Sequence, residues 1–359
     1  MRVLFFWEPV GGLTLQHRCN PYAGLLARSL EKLDVYLELG NYAFERDWLA
    51  ENRETCEVLH LNWLHPFYRA DDLDATVERF AQFDDNLEYA RRIGYRIVWT
   101  LHNLYPHERP FPDIDHLGRL LVARLANACI AHCEYAAACA RRRFFYTGDT
   151  YVIPHGHFID VFPNSVGRAE ARARLGVPEK AFAYVFFGNA RGYKSVESLI
   201  DAFTAVGDDD AVLILMMRQS FDPGYAQEIR NRADGDERIR VFTSDYFPES
   251  DFQYYLNSAD VAVLPFSEVL TSGSAITALS FGTPVILPRR GCLPTLVDDS
   301  MGILYDPSDP SGLQQALRQI RKRDLAAAGR AALARARQLD WDGIAARVAE
   351  VYYGRHGLT

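Results

Sequence analysis

Cysteine is scarce in this chain of 359 residues: there are six, and none of them (Cys19, Cys56, Cys129, Cys133, Cys139, Cys292) forms a CxxC pair. With no such spacing there is no zinc or disulfide framework to read, and buried or free thiols are the expectation. Long apolar runs are also missing: none approaches the roughly 18 residues that a membrane-crossing helix needs. There is no excess of positive charge. The formal net charge is −8, which argues against a general nucleic-acid binder, since that would need a strongly basic surface to release counterions. No short-period repeat or low-complexity tract supports a solenoid or linker array. The opening MRVLFFWEPV reads as a strand without the apolar core and small-residue cleavage site of a signal peptide. Cytoplasmic residence is therefore expected, with peripheral attachment at the inner face of a membrane as the alternative.

What is present is ordinary globular material, 48% hydrophobic, 13% aromatic and 24% charged. The length suits two domains of about 100 to 200 residues each. Apolar runs at 2–7, 35–39, 57–61, 96–101 and 127–131 alternate with helix-like stretches at 21–32 and 74–93, and a short strand follows at 150–153. Pro154 and Gly156 punctuate the chain after it. A second series then runs through 183–188, 211–217, 238–242, 260–266 and 284–288. This rhythm predicts two doubly wound α/β sheets. The domains are placed at 1–160, 161–338 and a terminal helix at 339–359. In that helix Trp341, Ile344, Val348 and Val351 fall nearly on one face, so it is expected to return to the first domain.

Ligands of such folds bind at the carboxyl ends of the strands. Gly11 and Gly12 end the first strand, where missing side chains would let a phosphate or sugar approach backbone N–H groups; a tight turn is the alternative. In FFGNARGYKSVESLIDAF, Arg191 and Lys194 lie between Gly188 and a helix start, a combination that favours a diphosphate. In PFSEVLTSGSAITALSFGTPVILP, Ser272, Gly273 and Ser274 offer amides and hydroxyls at another helix N-terminus. The first half offers His60 and Trp63 after one strand as candidates to face the acceptor, with Trp63 able to stack on a sugar ring or to pack in the core. After another strand it offers His102, and His107 and Glu108 as further candidates for the acceptor. The run ARRRFFYTG at 140–148 mixes arginine with aromatics and suits either an anionic lipid surface or a solvated helix end.

Taken in order, VIPHGHFIDVFP, GNARGYKSVESLIDAF, ADVAVLPFSE, SGSAITALSFGTPVILP and GILYDPSDPSGLQQAL resemble glycosyltransferase family 4 and its GT-B relatives, well over about 150–320 and loosely before. The resemblance implies a GT-B fold, two Rossmann-like domains facing a cleft, and retaining transfer of a sugar from a nucleoside diphosphate to a hydroxyl of an oligosaccharide, glycolipid or polysaccharide precursor. It assigns Lys194 and Arg191 to the donor diphosphate, His102 to a place beside the donor sugar, and Glu268 to the transferred sugar as the first glutamate of a Glu-x7-Glu motif whose spacing is shifted here. Thr277 stands where the second glutamate would hold the ribose. Loops around Arg218–Phe221 and Ser244–Phe247 are where the base would be read. No metal or other cofactor is expected: no Asp-x-Asp stands at a suitable strand end, and the two cations can supply the charge. Alternatives are a sugar-nucleotide epimerase of the same fold and a non-catalytic sugar-nucleotide or glycan-binding paralogue.

Overall fold

The strands read as near-continuous runs of Val, Ile, Leu, Phe and Ala because both faces of each sheet are covered by helices, the condition under which parallel sheets form. The computed structural model describes residues 1–7, 13 and 20–354. The chain divides into two compact units, Met1–His155 with Trp341–Thr359, and Gly156–Asp340.

In the first unit β1 (Arg2–Phe6), β2 (Tyr36–Leu39), β3 (Val58–Leu61), β4 (Arg96–Leu101), β5 (Ala128–Ala131) and β6 (Asp149–Val152) form one parallel sheet in the order β2-β1-β3-β4-β5-β6. The strand order reverses between β1 and β3, which pair Phe5 with His60 and Phe6 with Leu61. The helix Leu73–Arg92 starts at Asp72, whose carboxylate accepts from the Ala75 N–H at 2.8 Å. The terminal helix Trp341–Tyr353 belongs to this unit, and its apolar stripe is as predicted: Trp341, Ile344, Val348 and Val351 are all buried. It is anchored at both ends. Asp342 accepts from Ser29 at 2.8 Å and Lys32 at 2.7 Å, and the Val351 carbonyl accepts from Arg96 at 2.9 Å.

The second unit holds β7 (Phe182–Asn189), β8 (Ala211–Arg218), β9 (Ile239–Ser244), β10 (Val261–Val263), β11 (Val285–Pro288) and β12 (Gly302–Tyr305), again all parallel, in the order β12-β11-β10-β7-β8-β9. Its core runs through Val185, Phe186, Leu213, Ile214, Val261 and Ile286, each fully buried. Here the order reverses between β7 and β10. Edge strand β12 was not among the expected strands. It is four residues long and opens on a glycine, and a Cβ at Gly302 would lie 1.9 Å from the Val285 carbonyl oxygen. The glycine permits that close backbone approach, and Ile303, Leu304 and Tyr305 supply the strand's apolar side chains.

Candidate functional site

The loops after β7 and β10 flank the switch point of the second sheet, the position where open α/β sheets take their ligands. Strand β7 ends at Gly188, whose φ of +150° only glycine adopts readily. Arg191 and a single 3-10 turn, Gly192–Lys194, follow. A methyl group at Gly188 would sit 3.7 Å from Ser274 Oγ and 3.8 Å from Lys194 Nζ. The loops thus bring Gly188, Lys194 and Ser274 together from positions up to 86 residues apart. They are tied by the Ser267 N–H, which donates to the Tyr193 carbonyl at 3.0 Å.

Lys194 is 8% exposed. Its ammonium lies 4.4 Å from the centre of the Phe266 ring and, among the described residues, meets no carboxylate. Burial first, and the nearby Arg191 charge second, lower its pKa to about 7. The Arg191 guanidinium stacks over Phe221 at 4.5 Å, and Arg218 approaches the same ring at 5.5 Å.

The helix expected to point its N-terminus at this ligand is Val196–Val206, but its first N–H is already spent. Val196 donates to the Tyr225 hydroxyl at 2.9 Å, and that hydroxyl donates to Glu197. Further amides lie at the start of a second helix, Gly273–Ser280. Ser272 caps it by accepting from the Ala275 N–H at 3.1 Å. Among the described residues the N–H groups of Gly273 and Ser274 have no protein acceptor, so they and the positive end of the helix dipole are available to an anion.

Glu268 is exposed on the bend after β10, beside the tie at Ser267. Thr277 is buried, and its hydroxyl donates to the Gly273 carbonyl at 2.9 Å. That bond turns its hydrogen back into the helix, so toward a ribose it offers only lone pairs.

In the first unit the candidates separate. His60 is fully buried, with Nδ1 2.6 Å from the Tyr352 hydroxyl and Nε2 2.6 Å from Thr100 Oγ1. Burial lowers its pKa to about 3, with His132 adding to the effect. Both nitrogens are used inside the core, and this corrects the expectation that His60 faces an acceptor. Its partner Tyr352 lies 292 residues away, beyond the reach of local pattern. His107 and Glu108 are exposed on the loop after β4, and the Glu108 carbonyl accepts from Arg69 at 2.8 Å. Gly11 and Gly12 lie outside the described residues.

His102 is buried just beyond β4. Its Nε2 is 2.9 Å from Asn62 Oδ1 and its Nδ1 is 3.1 Å from Nε2 of His132. Burial, and then the neighbouring His132, His155 and His60, hold its pKa well below the ordinary histidine value. The half-buried Trp63 ring stacks on His102 with centroids 5.2 Å apart, and its Nε1 is buried without a hydrogen-bond partner. A shallow, open recess lined by Asn62, Trp63, His65, Asn103, Tyr105 and Arg119 among others lies alongside within this unit. His132 went unnoticed in the sequence. The available signal was a polar residue one step past β5, level with His102 one step past β4. The basic run also divides: Arg141, Arg142, Arg143 and Phe145 are exposed, whereas Phe144 and Tyr146 are buried. Among the described residues no helix is long and apolar enough to cross a membrane.

Residues 181–323, which carry both switch-point loops, match the family model of glycosyl transferases group 1. The chain carries a group 1 glycosyltransferase domain. It is 28% identical over 283 residues to a D-inositol 3-phosphate glycosyltransferase of Streptomyces scabiei, covering 73% of this chain and 64% of that protein. It is 26% identical over 301 residues to a GDP-mannose:glycolipid 4-beta-D-mannosyltransferase of Xanthomonas campestris pv. campestris, covering 83% and 78%. The chain spans less than two thirds of three of the inositol-phosphate relatives it matches, at 64%, 61% and 65% of their lengths. Among solved structures, Anabaena HepE in complex with UDP and glucose superposes with a TM-score of 0.72 at 18% identity, over 99% of this chain and all of that one. Sucrose-phosphate synthase from Thermosynechococcus elongatus gives 0.73 at 18%, over 98% of each. At such identities the structures speak for the fold, and the fold is GT-B.

Proposed function

We propose that this group 1 glycosyltransferase transfers a hexose-type sugar from a nucleoside-diphosphate donor to a hydroxyl of a carbohydrate or glycolipid acceptor, with retention of configuration. The observation that carries the reading is Lys194: a buried ammonium with no carboxylate neighbour among the described residues, set beside Gly188 and the open amides of Gly273 and Ser274. A buried cation without a counter-charge is costly unless an anion completes it.

In this reading the diphosphate lies across the switch point. Lys194, Arg191 and the helix amides stabilise the negative charge that grows on it as the glycosidic bond breaks. Gly188 keeps side-chain atoms out of its path, Glu268 meets the transferred sugar, and His102 meets a sugar hydroxyl by exchanging its Nε2 bond to Asn62 for it. Trp63 and the adjoining recess serve the acceptor. The activities of the inositol-phosphate and glycolipid relatives support an acceptor of this class, and the UDP and glucose held by HepE support the donor class. Retention rests on the family resemblance.

Calorimetric and thermal-shift binding of UDP, GDP, ADP, dTDP and CMP to the wild type and Lys194→Ala tests the reading. Selective binding of one diphosphate, lost in the variant, is expected. Equal binding by both proteins, or none by either, overturns it.

A further inference from the structure

Strands β4 and β5 pair Leu101 with Ala131, so His102 and His132, each one residue further on, are neighbours by sheet register. They form a hydrogen-bonded chain with fixed ends. At one end His132 Nδ1 lies 2.9 Å from the Ile153 carbonyl oxygen, which can only accept. In the middle His132 Nε2 meets His102 Nδ1 at 3.1 Å. At the far end His102 Nε2 lies 2.9 Å from Asn62 Oδ1. The Asn62 amide is held in that orientation, because its Nδ2 donates to the Phe6 carbonyl at 3.0 Å. The oxygen facing His102 therefore also only accepts.

Three hydrogen bonds between two accepting ends require three N–H hydrogens, and two neutral imidazoles own two. A neutral pair has three arrangements that keep two of the three bonds. With both Nδ1 atoms protonated, the bare Nε2 of His102 faces the Asn62 oxygen. With both Nε2 atoms protonated, the bare Nδ1 of His132 faces the Ile153 oxygen. With His132 Nδ1 and His102 Nε2 protonated, the two bare nitrogens between the rings face each other. In each case one lone pair opposes another at rings only 5% and 7% exposed. One added proton completes all three bonds.

We propose that His132 is a positioning residue for His102 and that the two rings act as one proton-binding unit, taking up a single proton between them. Facing the pair among the described residues are Tyr22 from the helix Tyr22–Glu31, 4.9 Å from His102 and 6.0 Å from His132; Trp7 after β1; Trp63 after β3; His60 on β3; and His155 after β6, 5.6 Å from His132. Of these Tyr22, His60 and His155 are titratable. Burial opposes the added proton and the missing hydrogen bond favours it, so the shared step falls below that of a free imidazole and above that of one imidazole buried alone at this depth. A second proton would set two cations side by side and is not taken. Uptake fixes His102 Nε2 as a donor toward Asn62 Oδ1. The bearing on turnover rests on the proposed transferase function, in which His102 meets a sugar hydroxyl; the proton count does not.

The test is ring-nitrogen NMR of the full chain labelled with 15N-histidine, followed from pH 4.5 to 8. Wild type is expected to show one step with a common midpoint for His102 and His132 and one proton per pair. In His132→Gln the side-chain amide donates to His102 Nδ1, and a neutral His102 protonated at Nε2 satisfies every remaining bond. Its proton affinity should fall at least about tenfold, one pH unit. Asn62→Leu removes the accepting end and should lower the step in the same direction, which keeps the test alive if His132→Gln does not fold. Separate midpoints for the two rings, no step above pH 4.5, or a His102 step unmoved in the folded variants overturns the proposal. These readouts need no transfer activity, so a chain that transfers no sugar leaves them intact. Where transfer is measurable, the acid limb of kcat/KM should move with the NMR midpoint.

Discussion

The two units use the same parallel α/β construction, yet they hold their polar groups differently. In the second unit the candidate site is short-range chemistry at one switch point: a glycine ending a strand, a lysine six residues on, and a serine-capped helix tied to that loop through Ser267 and Tyr193. In the first, the polar side chains Asn62, His102 and His132 come from three separate strand ends and meet only because β3, β4 and β5 are in register. The contrast shows that a site built on turns leaves a readable motif, whereas a site built across a sheet leaves single residues that look like any other polar residue after a strand.

The largest break of this comparison should come from Lys194→Ala. Charge-assisted contacts to an anion are worth about 1.5–3 kcal/mol, so the favoured nucleoside diphosphate should bind about 10- to 150-fold more weakly in calorimetry. The fold should be unharmed, since a buried cation is removed. On the first unit, His60→Ala should behave as a core substitution. It leaves the Tyr352 and Thr100 hydroxyls without their partner and opens a cavity, so unfolding in denaturant should show a loss of about 2–4 kcal/mol with nucleotide affinity unchanged. His102→Ala should do the reverse, lowering kcat by tenfold or more while nucleotide affinity shifts little.

Lys194 also gives a pH signature. Its folded pKa of about 7 lies below the ordinary 10.5. Above pH 7 the folded chain holds fewer protons than the unfolded one, so this group's contribution to stability rises with pH up to about 10.5. Diphosphate binding needs the charged form, so affinity should fall as pH rises from 7 to 9, with a proton taken up on binding. Calorimetry in buffers of different ionisation enthalpy reads this uptake, and Lys194→Arg, charged throughout, should flatten the dependence. The smallest effect is expected at Glu268→Gln, whose carboxylate is exposed: a few-fold loss of turnover on the competent donor with no change in nucleotide binding. Identical kinetics on every donor would remove Glu268 from the sugar contact.

Most of the fold was legible in the sequence, because strands buried on both faces must be apolar throughout and those runs stand out. The terminal helix was legible from its stripe of Trp341, Ile344, Val348 and Val351. Strand β12 was not, because its apolar run after Gly302 is only Ile303, Leu304 and Tyr305, shorter than the runs that mark the other strands of its sheet core. At the helix after Lys194 one N–H that the local sequence leaves open is taken by Tyr225, 29 residues away.

By itself the sequence determined two α/β units, the order of their strands along the chain and the two candidate loops of the second unit, since hydrophobic period, glycine and capping residues act over a few positions. Only the tertiary structure decided that His60 bonds Tyr352 and Thr100 while His102 bonds Asn62 and His132. It alone also set His132 against His102 between two acceptors. Burial and hydrogen-bond partnership are properties of neighbours brought together from distant parts of the chain, and no local pattern carries them.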